Sequence, residues 1–186
     1  IDTDGRTYVF DAEGKLKSLT TPTDDKNPAS LRYVYSGDPS RLFRIYDGVT
    51  VAQVSNLNTI SDTELAKARY GTLHYKGDSN CSVPSGFDSA PAGMLCAFKT
   101  SDGDITKFYY RAGKLSRIEK PGSDFTDYGY DNLGRIINVR DSIASDAIAA
   151  SVLPDDNNVL TEVSYDQLGR ASAIKAPAPT VGASRT

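Results

Sequence analysis

Hydrophobic and polar positions of this 186-residue chain follow a short unit that recurs five times. A typical copy has two aromatic residues at alternate positions, a turn that contains Gly, and then a basic residue. An apolar residue follows five positions after the turn Gly. Side chains two positions apart on a strand lie on the same face, and Gly supplies the positive φ that a tight hairpin turn requires. Repeats of this size predict one supersecondary unit used many times. The copies lie near residues 8–22, 33–48, 108–121, 128–142 and 163–177.

Three kinds of residue define the copies. The aromatic positions are Tyr8, Phe10, Tyr33, Tyr35, Phe108, Tyr110, Tyr128, Tyr130 and Tyr165. The turn positions, with the acidic and basic residues beside them, are Gly14, Gly113, Asp131, Gly134, Arg135, Asp166, Gly169 and Arg170. Proline cannot donate to a β ladder, so the returning strands are predicted to end near Pro22, Pro121 and Pro177.

The apolar residues after each turn are three positions apart, as Leu115 and Ile118 are. On a regular strand an odd offset sends two side chains to opposite faces. Either the first side chain caps the turn, or a β-bulge falls between the two. Because the offset recurs, we expect a local increase in twist there.

Two stretches interrupt the β pattern. Residues 62–69 and 141–152 each begin with Asp and contain helix formers, so both are predicted to be short helices between hairpins. Residues 76–93 contain turn residues throughout and predict a loop. The fold class predicted is mostly β, with repeated antiparallel hairpins in a curved strip or part of a shell. Residues 1–186 are interpreted as a single β-rich segment, without an initiator Met and cut from a longer array.

Composition limits the functional classes. The net charge is −3 at pH 7, and no Lys/Arg-rich stretch interleaves with aromatic residues, so nucleic acid is not an expected partner. The chain has no apolar run long enough to predict a membrane span. Eleven Tyr and no Trp are typical of half-buried strand positions, where the ring covers a sheet and the hydroxyl stays in water.

The two cysteines, Cys81 and Cys96, flank a loop rich in Gly, Pro and Ser. A disulfide across it would contribute about 3 kcal/mol by restricting the unfolded chain, and it would require an oxidising compartment. The alternative is two free thiols. A zinc site is not expected, since two Cys and the lone His74 leave a four-ligand set incomplete.

Several residues invite a chemical interpretation. The aromatic positions are interpreted as a ladder that packs neighbouring hairpins, and the alternative is a carbohydrate-stacking platform. The aspartates Asp11, Asp131 and Asp166 are expected to bond their own turn backbone; the alternative is a glycoside hydrolase with paired carboxylates. Calcium-like spacings at residues 2–5 and 102–104 lack the closing Glu and are read as turns. No catalytic residue, metal or cofactor is expected.

The sequences YDNLGR at residues 130–135 and YDQLGR at residues 165–170 resemble the YD repeat of the Rhs/teneurin family. FDAEGK at residues 10–15 keeps the pattern, YRAGK at residues 110–114 lacks one residue and the Asp, and YSGDPSR at residues 35–41 carries an insertion. The stretches APAGMLC and DAIAASV further resemble large secreted YD-repeat proteins of Gram-positive bacteria.

The resemblance implies a hairpin strip that spirals into a hollow shell, which often encloses or presents a toxin or adhesive region. The family's self-cleaving segment has no match in this chain. We therefore expect a non-catalytic structural module of a secreted or cell-surface protein, whose partners are other repeats of the same shell. The alternative is a module that binds a glycan or another surface partner.

Overall fold

The computed structural model describes residues 1–20, 30–54 and 56–178. Pro22, predicted to mark a strand end, lies outside these residues. The described chain is mostly β, with twelve antiparallel strands in a sheet whose order follows the chain. The strands are β1 Thr7–Phe10, β2 Leu16–Thr20, β3 Leu31–Ser36, β4 Arg41–Tyr46, β5 Tyr70–Tyr75, β6 Leu95–Thr100, β7 Ile105–Arg111, β8 Lys114–Glu119, β9 Phe125–Tyr130, β10 Ile136–Arg140, β11 Thr161–Tyr165 and β12 Ala171–Lys175.

The predicted β class and the predicted hairpins are confirmed. The five repeat copies form the hairpins β1–β2, β3–β4, β7–β8, β9–β10 and β11–β12. β8 ends at Glu119 and β12 at Lys175, each two residues before the predicted Pro. Three short helices, α1 Gly48–Gln53, α2 Asp62–Leu65 and α3 Ser142–Ala149, lie between strands.

The odd offset of the apolar residues is produced by a β-bulge at the same place in every repeat hairpin. In β9–β10, Tyr128 faces Val139 and Tyr130 faces Ile136, so one extra residue on β10 has no partner. The extra residues in the five hairpins are Lys17, Phe43, Ser116, Ile137 and Ser172. Because the bulge absorbs one residue, both apolar side chains return to the face of the aromatic pair. The bulge alternative is confirmed.

The helices differ in part from the prediction. α3 begins after Asp141, whose side chain accepts a hydrogen bond from the Ala144 N–H at 2.8 Å, close to the predicted start. α2 ends at Leu65, four residues before the predicted end. The chain tightens into i→i+3 bonds after that residue, and the Arg69 N–H donates to the Thr50 hydroxyl at 2.7 Å. That contact holds Arg69 at the entry to β5 and ends the helix.

Helix α1 was not predicted, because its sequence GVTVAQ contains three β-branched residues that disfavour a helix. Asp47 caps its N-terminus by accepting from the Thr50 N–H at 2.8 Å. Residues 76–93 contain no helix or strand, as predicted, apart from an isolated bridge between Asp88 and Tyr110.

The chain forms two compact units. The first unit comprises Ile1–His74 and Ala97–Ile105, and the second comprises Tyr75–Cys96 and the chain from Thr106 onward. That the whole chain is one segment of a longer repeat array stays a prediction.

The first unit contains the hairpins β1–β2 and β3–β4 with the helices α1 and α2. Its most buried large side chain is Tyr46, which is 1% exposed. The Arg44 side chain donates to the Tyr46 hydroxyl at 2.9 Å, and its guanidinium lies 4.7 Å from the ring centre of Tyr70. Gly71 allows the Phe98 ring to lie against the β5 backbone, at a place where a Cβ atom would overlap the ring.

The second unit contains the hairpins β7–β8, β9–β10 and β11–β12, helix α3 and the loop of residues 76–93. Its core includes Tyr109 and Tyr110, which are both buried. The loop lies against β7, because the Phe87 ring is 5.1 Å from the Tyr109 ring and the Asp88 carboxylate accepts from the Ala112 N–H at 2.7 Å.

Candidate functional site

The aspartates of the YD pattern hold their own turns. The Asp131 Oδ1 accepts hydrogen bonds from the N–H groups of Leu133 and Arg135, both at 2.9 Å. Its Oδ2 accepts from the Arg135 Nε at 2.7 Å. Asp166 makes the equivalent three bonds with Leu168 and Arg170 at 2.8 to 2.9 Å. These contacts match the predicted turn role.

Asp11 accepts from the N–H groups of Glu13 and Lys15 at 3.1 and 2.8 Å. Asp2, which lies outside the five copies of the repeat, forms the same backbone contacts. The Asp2 Oδ1 accepts from the N–H groups of Asp4 and Arg6 at 3.0 and 2.9 Å. A turn at residues 2–5 was predicted, but Ile1 stands where the repeat has an aromatic residue, so the turn was not predicted to be of the repeat type. The sequence signal that could have revealed it is the Asp-x-x-Gly-basic spacing alone.

Hydrogen bonding also sets the acidity of these carboxyl groups. The backbone N–H of Arg135 is the main cause that lowers the pKa of Asp131, and the Arg135 side chain adds to it. The backbone N–H of Arg170 acts in the same way to lower the pKa of Asp166, and that of Lys15 lowers the pKa of Asp11. A lowered pKa favours the ionised acceptor and is the opposite of what a general acid needs.

In four of the five repeat hairpins the second aromatic residue is a tyrosine that contacts the preceding hairpin. The Tyr130 hydroxyl donates to the Leu115 carbonyl at 2.7 Å, and the Tyr165 hydroxyl donates to the Ile136 carbonyl at 2.8 Å. Leu115 and Ile136 hold the same position, the first residue after the basic residue of the turn. The Tyr35 hydroxyl donates to the Leu16 carbonyl at 3.1 Å, and the Tyr110 hydroxyl donates to the Leu95 carbonyl at 2.7 Å.

The basic residue of the turn lies against the same tyrosine ring. The Arg135 guanidinium is 4.4 Å from the ring centre of Tyr165. The Lys114 Nζ is 5.6 Å from the Tyr130 ring, and the Lys15 Nζ is 5.7 Å from the Tyr35 ring. A cation over an aromatic face contributes about 0.5–1 kcal/mol at exposed sites. We use the name hairpin join for a tyrosine whose hydroxyl donates to a carbonyl of the preceding hairpin; in three of the four joins a basic residue also lies over the ring.

Burial raises the pKa of two of the joining tyrosines, Tyr110 and Tyr130. The main cause is the loss of solvent around the ring. A protonated hydroxyl is required, because only that form donates to a carbonyl. Tyr128 lies two residues before Tyr130 on β9, and its hydroxyl has no recorded hydrogen bond within the described chain.

Phe10 departs from the pattern. It occupies the tyrosine position of the first hairpin, has no hydroxyl to donate and is 57% exposed. Tyr8, Tyr33 and Phe108 hold first-aromatic positions and face the second apolar residue of the returning strand, as in the pair Tyr33 and Ile45. The turn glycines Gly14, Gly113, Gly134 and Gly169 all have positive φ, as the hairpin prediction requires.

The disulfide between Cys81 and Cys96 is present, with 5.4 Å between the two Cα atoms. It ties the loop of residues 76–93 to the start of β6, and Cys96 is buried. The free-thiol alternative is wrong.

A charged network on strands of the second unit was not predicted. The Arg117 side chain forms two hydrogen bonds to the Asp127 carboxylate at 2.6 and 2.8 Å, and that contact raises the Arg117 pKa. Arg140 approaches the same carboxylate at 3.7 Å and pairs with Asp155 at 2.7 Å. Arg and Asp are common surface residues, and only the strand register shows that these are neighbours.

Among the described residues, no arrangement of side chains supports the metal-binding interpretation. Within residues 1–20, 30–54 and 56–178, no group of three His, Cys, Asp or Glu side chains could hold a metal ion. His74 is buried in β5. A cavity of about 440 Å³ in the second unit is lined mainly by apolar side chains, including Ile143, Leu153 and Val159.

In the part of the chain that the structure describes, no helix is long and apolar enough to span a membrane.

No family model and no curated protein matches this sequence. The chain is similar to part of the crystal structure of TcdB2-TccC3-Cdc42, with a TM-score of 0.36 and 13% identity, over 92% of this chain and 12% of the other. It is also similar to part of the Photorhabdus luminescens Tc holotoxin pore with a mutation in TccC3, with a TM-score of 0.35 and 16% identity, over 91% of this chain and 9% of the other. The names of both structures include TccC3, and this chain spans about a tenth of each matched chain. TM-scores this low do not establish a common fold.

Proposed function

We propose that this chain is a non-catalytic structural module of YD-repeat type, and that its hairpin joins build a wall that scaffolds or encloses a toxin or adhesive region. The observation that carries the proposal is the recurrence of the join. Four tyrosine hydroxyls donate to a carbonyl of the preceding hairpin, and in three of the four the acceptor is the first residue after the basic residue of a turn. A catalytic or binding site would need such a group once, whereas an array needs it at every step.

The turn aspartates that the glycoside hydrolase alternative would use are engaged in holding the hairpins. The Asp131 and Asp166 carboxylates accept from their turns and from the basic residue that follows. Three of the four joining rings are covered by a Lys or Arg side chain. Stacking of a sugar on those faces would have to displace the cation, so the geometry favours the structural role over the carbohydrate-binding alternative.

Secretion or display at the cell surface is part of the proposal. A disulfide that closes a loop of 15 residues is stable only where thiols are oxidised, as outside the cell. The loop has turn residues throughout and no helix or strand, so the cross-link supplies order that a core would otherwise have to provide.

The test compares stability with binding in the same variants. Tyr130 is half-buried, so Tyr130→Ala should lower the free energy of unfolding by about 2–3 kcal/mol, at or below the lower end of the range for a fully buried aromatic side chain. Wild-type protein should show no retention on a glycan array and no hydrolysis of a panel of aryl glycosides. Retention that Tyr130→Ala abolishes while the unfolding curve stays unchanged would overturn the structural role in favour of glycan binding.

A further inference from the structure

The last hairpin, β11–β12, carries the receiving half of a hairpin join. In the three joins that include a cation, the tyrosine is received by two consecutive residues, the basic residue after the turn Gly and the residue that follows it. These pairs are Lys15 with Leu16, Lys114 with Leu115 and Arg135 with Ile136. Arg170 and Ala171 occupy the same two positions in β11–β12.

Arg170 is already held in the orientation that Arg135 adopts in its join. The Arg170 Nε and a terminal nitrogen each approach the Asp166 Oδ2 at 2.8 Å, and the corresponding Arg135 distances to Asp131 are both 2.7 Å. The difference lies in exposure. The Arg135 side chain is 31% exposed beneath Tyr165, whereas the Arg170 side chain is 73% exposed.

The strand that follows Arg170 is exposed in the same way. All five residues of β12 are exposed, and Ile174 is 68% exposed. Its counterparts Ile118 and Val139 are partly buried beside the next hairpin. An exposed strand edge offers backbone groups on which another strand can add.

We propose that Arg170 and the Ala171 carbonyl receive the tyrosine of a further Tyr-Asp hairpin, which adds its first strand to the edge of β12. This inference rests on the proposed function and names the partner of its repeating join. The incoming ring lies over the Arg170 guanidinium, and its hydroxyl donates to the Ala171 carbonyl. The geometry points to a strand with this pattern rather than to a free aromatic ligand, because each observed join is accompanied by strand addition.

The experiment uses the whole 186-residue protein and a fluorescent peptide with the sequence Thr161–Lys175. A disulfide between cysteines added at the two peptide ends preforms the hairpin and removes part of the ordering cost of binding. Fluorescence anisotropy should show saturable binding. The peptide carrying Tyr165→Phe should bind roughly fivefold more weakly, the loss expected for one hydrogen bond of about 1 kcal/mol.

Variants of the protein test the other half of the site. Arg170→Ala should weaken binding of the unmodified peptide about threefold or more, and Arg170→Lys should retain more of it, since lysines serve in two of the observed joins. Because Arg170 is exposed, the melting temperature of both variants should stay near the wild-type value.

Three outcomes would overturn the inference: no saturable binding, equal binding of the Tyr165→Phe peptide, or self-association of the protein that excludes the peptide and shows the occupant to be a second copy. A failed peptide titration together with a stability loss in Tyr130→Ala would reject this docking site and leave the proposed function standing.

Discussion

The Tyr165 hydroxyl donates a hydrogen bond to the carbonyl oxygen of Ile136 at 2.8 Å, across the boundary between two successive hairpins. The two residues are 29 positions apart, and helix α3 lies between them in the chain. The same donor and the same acceptor position recur where the intervening chain is far shorter, as between Leu115 and Tyr130. The join is therefore a property of the repeat and does not depend on the length of the connection.

The first prediction concerns the contact between Arg135 and Tyr165. A double-mutant cycle with Arg135→Ala and Tyr165→Leu should give a coupling energy of about 0.5–1 kcal/mol, as expected for a cation over an aromatic ring. Arg135 also pairs with Asp131, and the cycle separates that contribution because it is lost in both variants that carry Arg135→Ala. Urea unfolding of the four proteins measures the coupling. Strict additivity would show that the ring and the cation are neighbours without interaction.

A second prediction concerns the close approach of Asn138 to Gly129. A Cβ atom at position 129 would overlap the Asn138 side chain, so Gly129→Ala should cost about 1–3 kcal/mol of stability, as overpacking does. Asn138→Ala in the same chain should recover most of that loss. Ser164 occupies the corresponding position of β11 and already carries a Cβ, so Ser164→Ala is the matched control and should change little. If Gly129→Ala is as stable as the control, the Asn138 amide rotates away from the added Cβ and the close approach does not constrain the hairpin.

Removal of the disulfide gives a third prediction. Replacement of Cys81 and Cys96 by Ala should reduce stability by about 3 kcal/mol, the value expected for a closed loop of this size. Addition of reductant should destabilise the wild-type protein by a similar amount and leave the double variant unchanged. Chemical denaturation of both proteins with and without reductant measures these changes. If reductant lowers the stability of the two proteins equally, the result contradicts the cross-link.

The turn carboxylates predict a pH dependence. Hydrogen bonds from Arg135 lower the pKa of Asp131 in the folded state. The stability it contributes is therefore fully present above the ordinary carboxyl pKa of about 3.9, and it is lost as the pH falls through the lowered folded-state value. Asp131→Asn keeps an oxygen acceptor but cannot ionise. The stability difference between wild type and this variant should shrink as the pH is lowered below about 4.

Acid titration of unfolding free energies measures this difference. Asp102→Asn is a suitable control, since the Asp102 carboxylate has no hydrogen bond recorded within the described residues. A difference between wild type and Asp131→Asn that stays constant across the acid range would show that the turn does not depend on the charge.

Much of the fold could be predicted because the repeat encodes it locally. The spacing from Gly134 to Val139 specifies a turn and a returning strand, and the odd offset between Ile136 and Val139 requires a bulge if both are to reach one face. The disulfide could be predicted as well, since Cys81 and Cys96 flank a loop without hydrophobic periodicity. These features depend on neighbours in sequence or on chemistry that few residues possess.

The hairpin join could not be predicted in the same way. Its acceptor is a backbone carbonyl, a group that every residue carries, so nothing in the sequence distinguishes Leu115 or Ile136 as acceptors. Helix α1 was missed because its stability comes from the Asp47 cap and from the contact between Thr50 and Arg69, and the latter is 19 positions away in the chain. Tertiary contacts of this kind override local propensity.

The most direct test of the account is the unfolding free energy of four single variants in which a joining hydroxyl is removed: Tyr35→Phe, Tyr110→Phe, Tyr130→Phe and Tyr165→Phe. Each should lose about 1 kcal/mol, because a half-buried carbonyl is left without its donor. Tyr128→Phe, on the same strand as Tyr130, is the control and should stay within about 0.5 kcal/mol of wild type. Losses in all four variants and none in the control would show that the join stabilises the contact between successive hairpins beyond the backbone pairing of their strands. Four variants as stable as the control would contradict it.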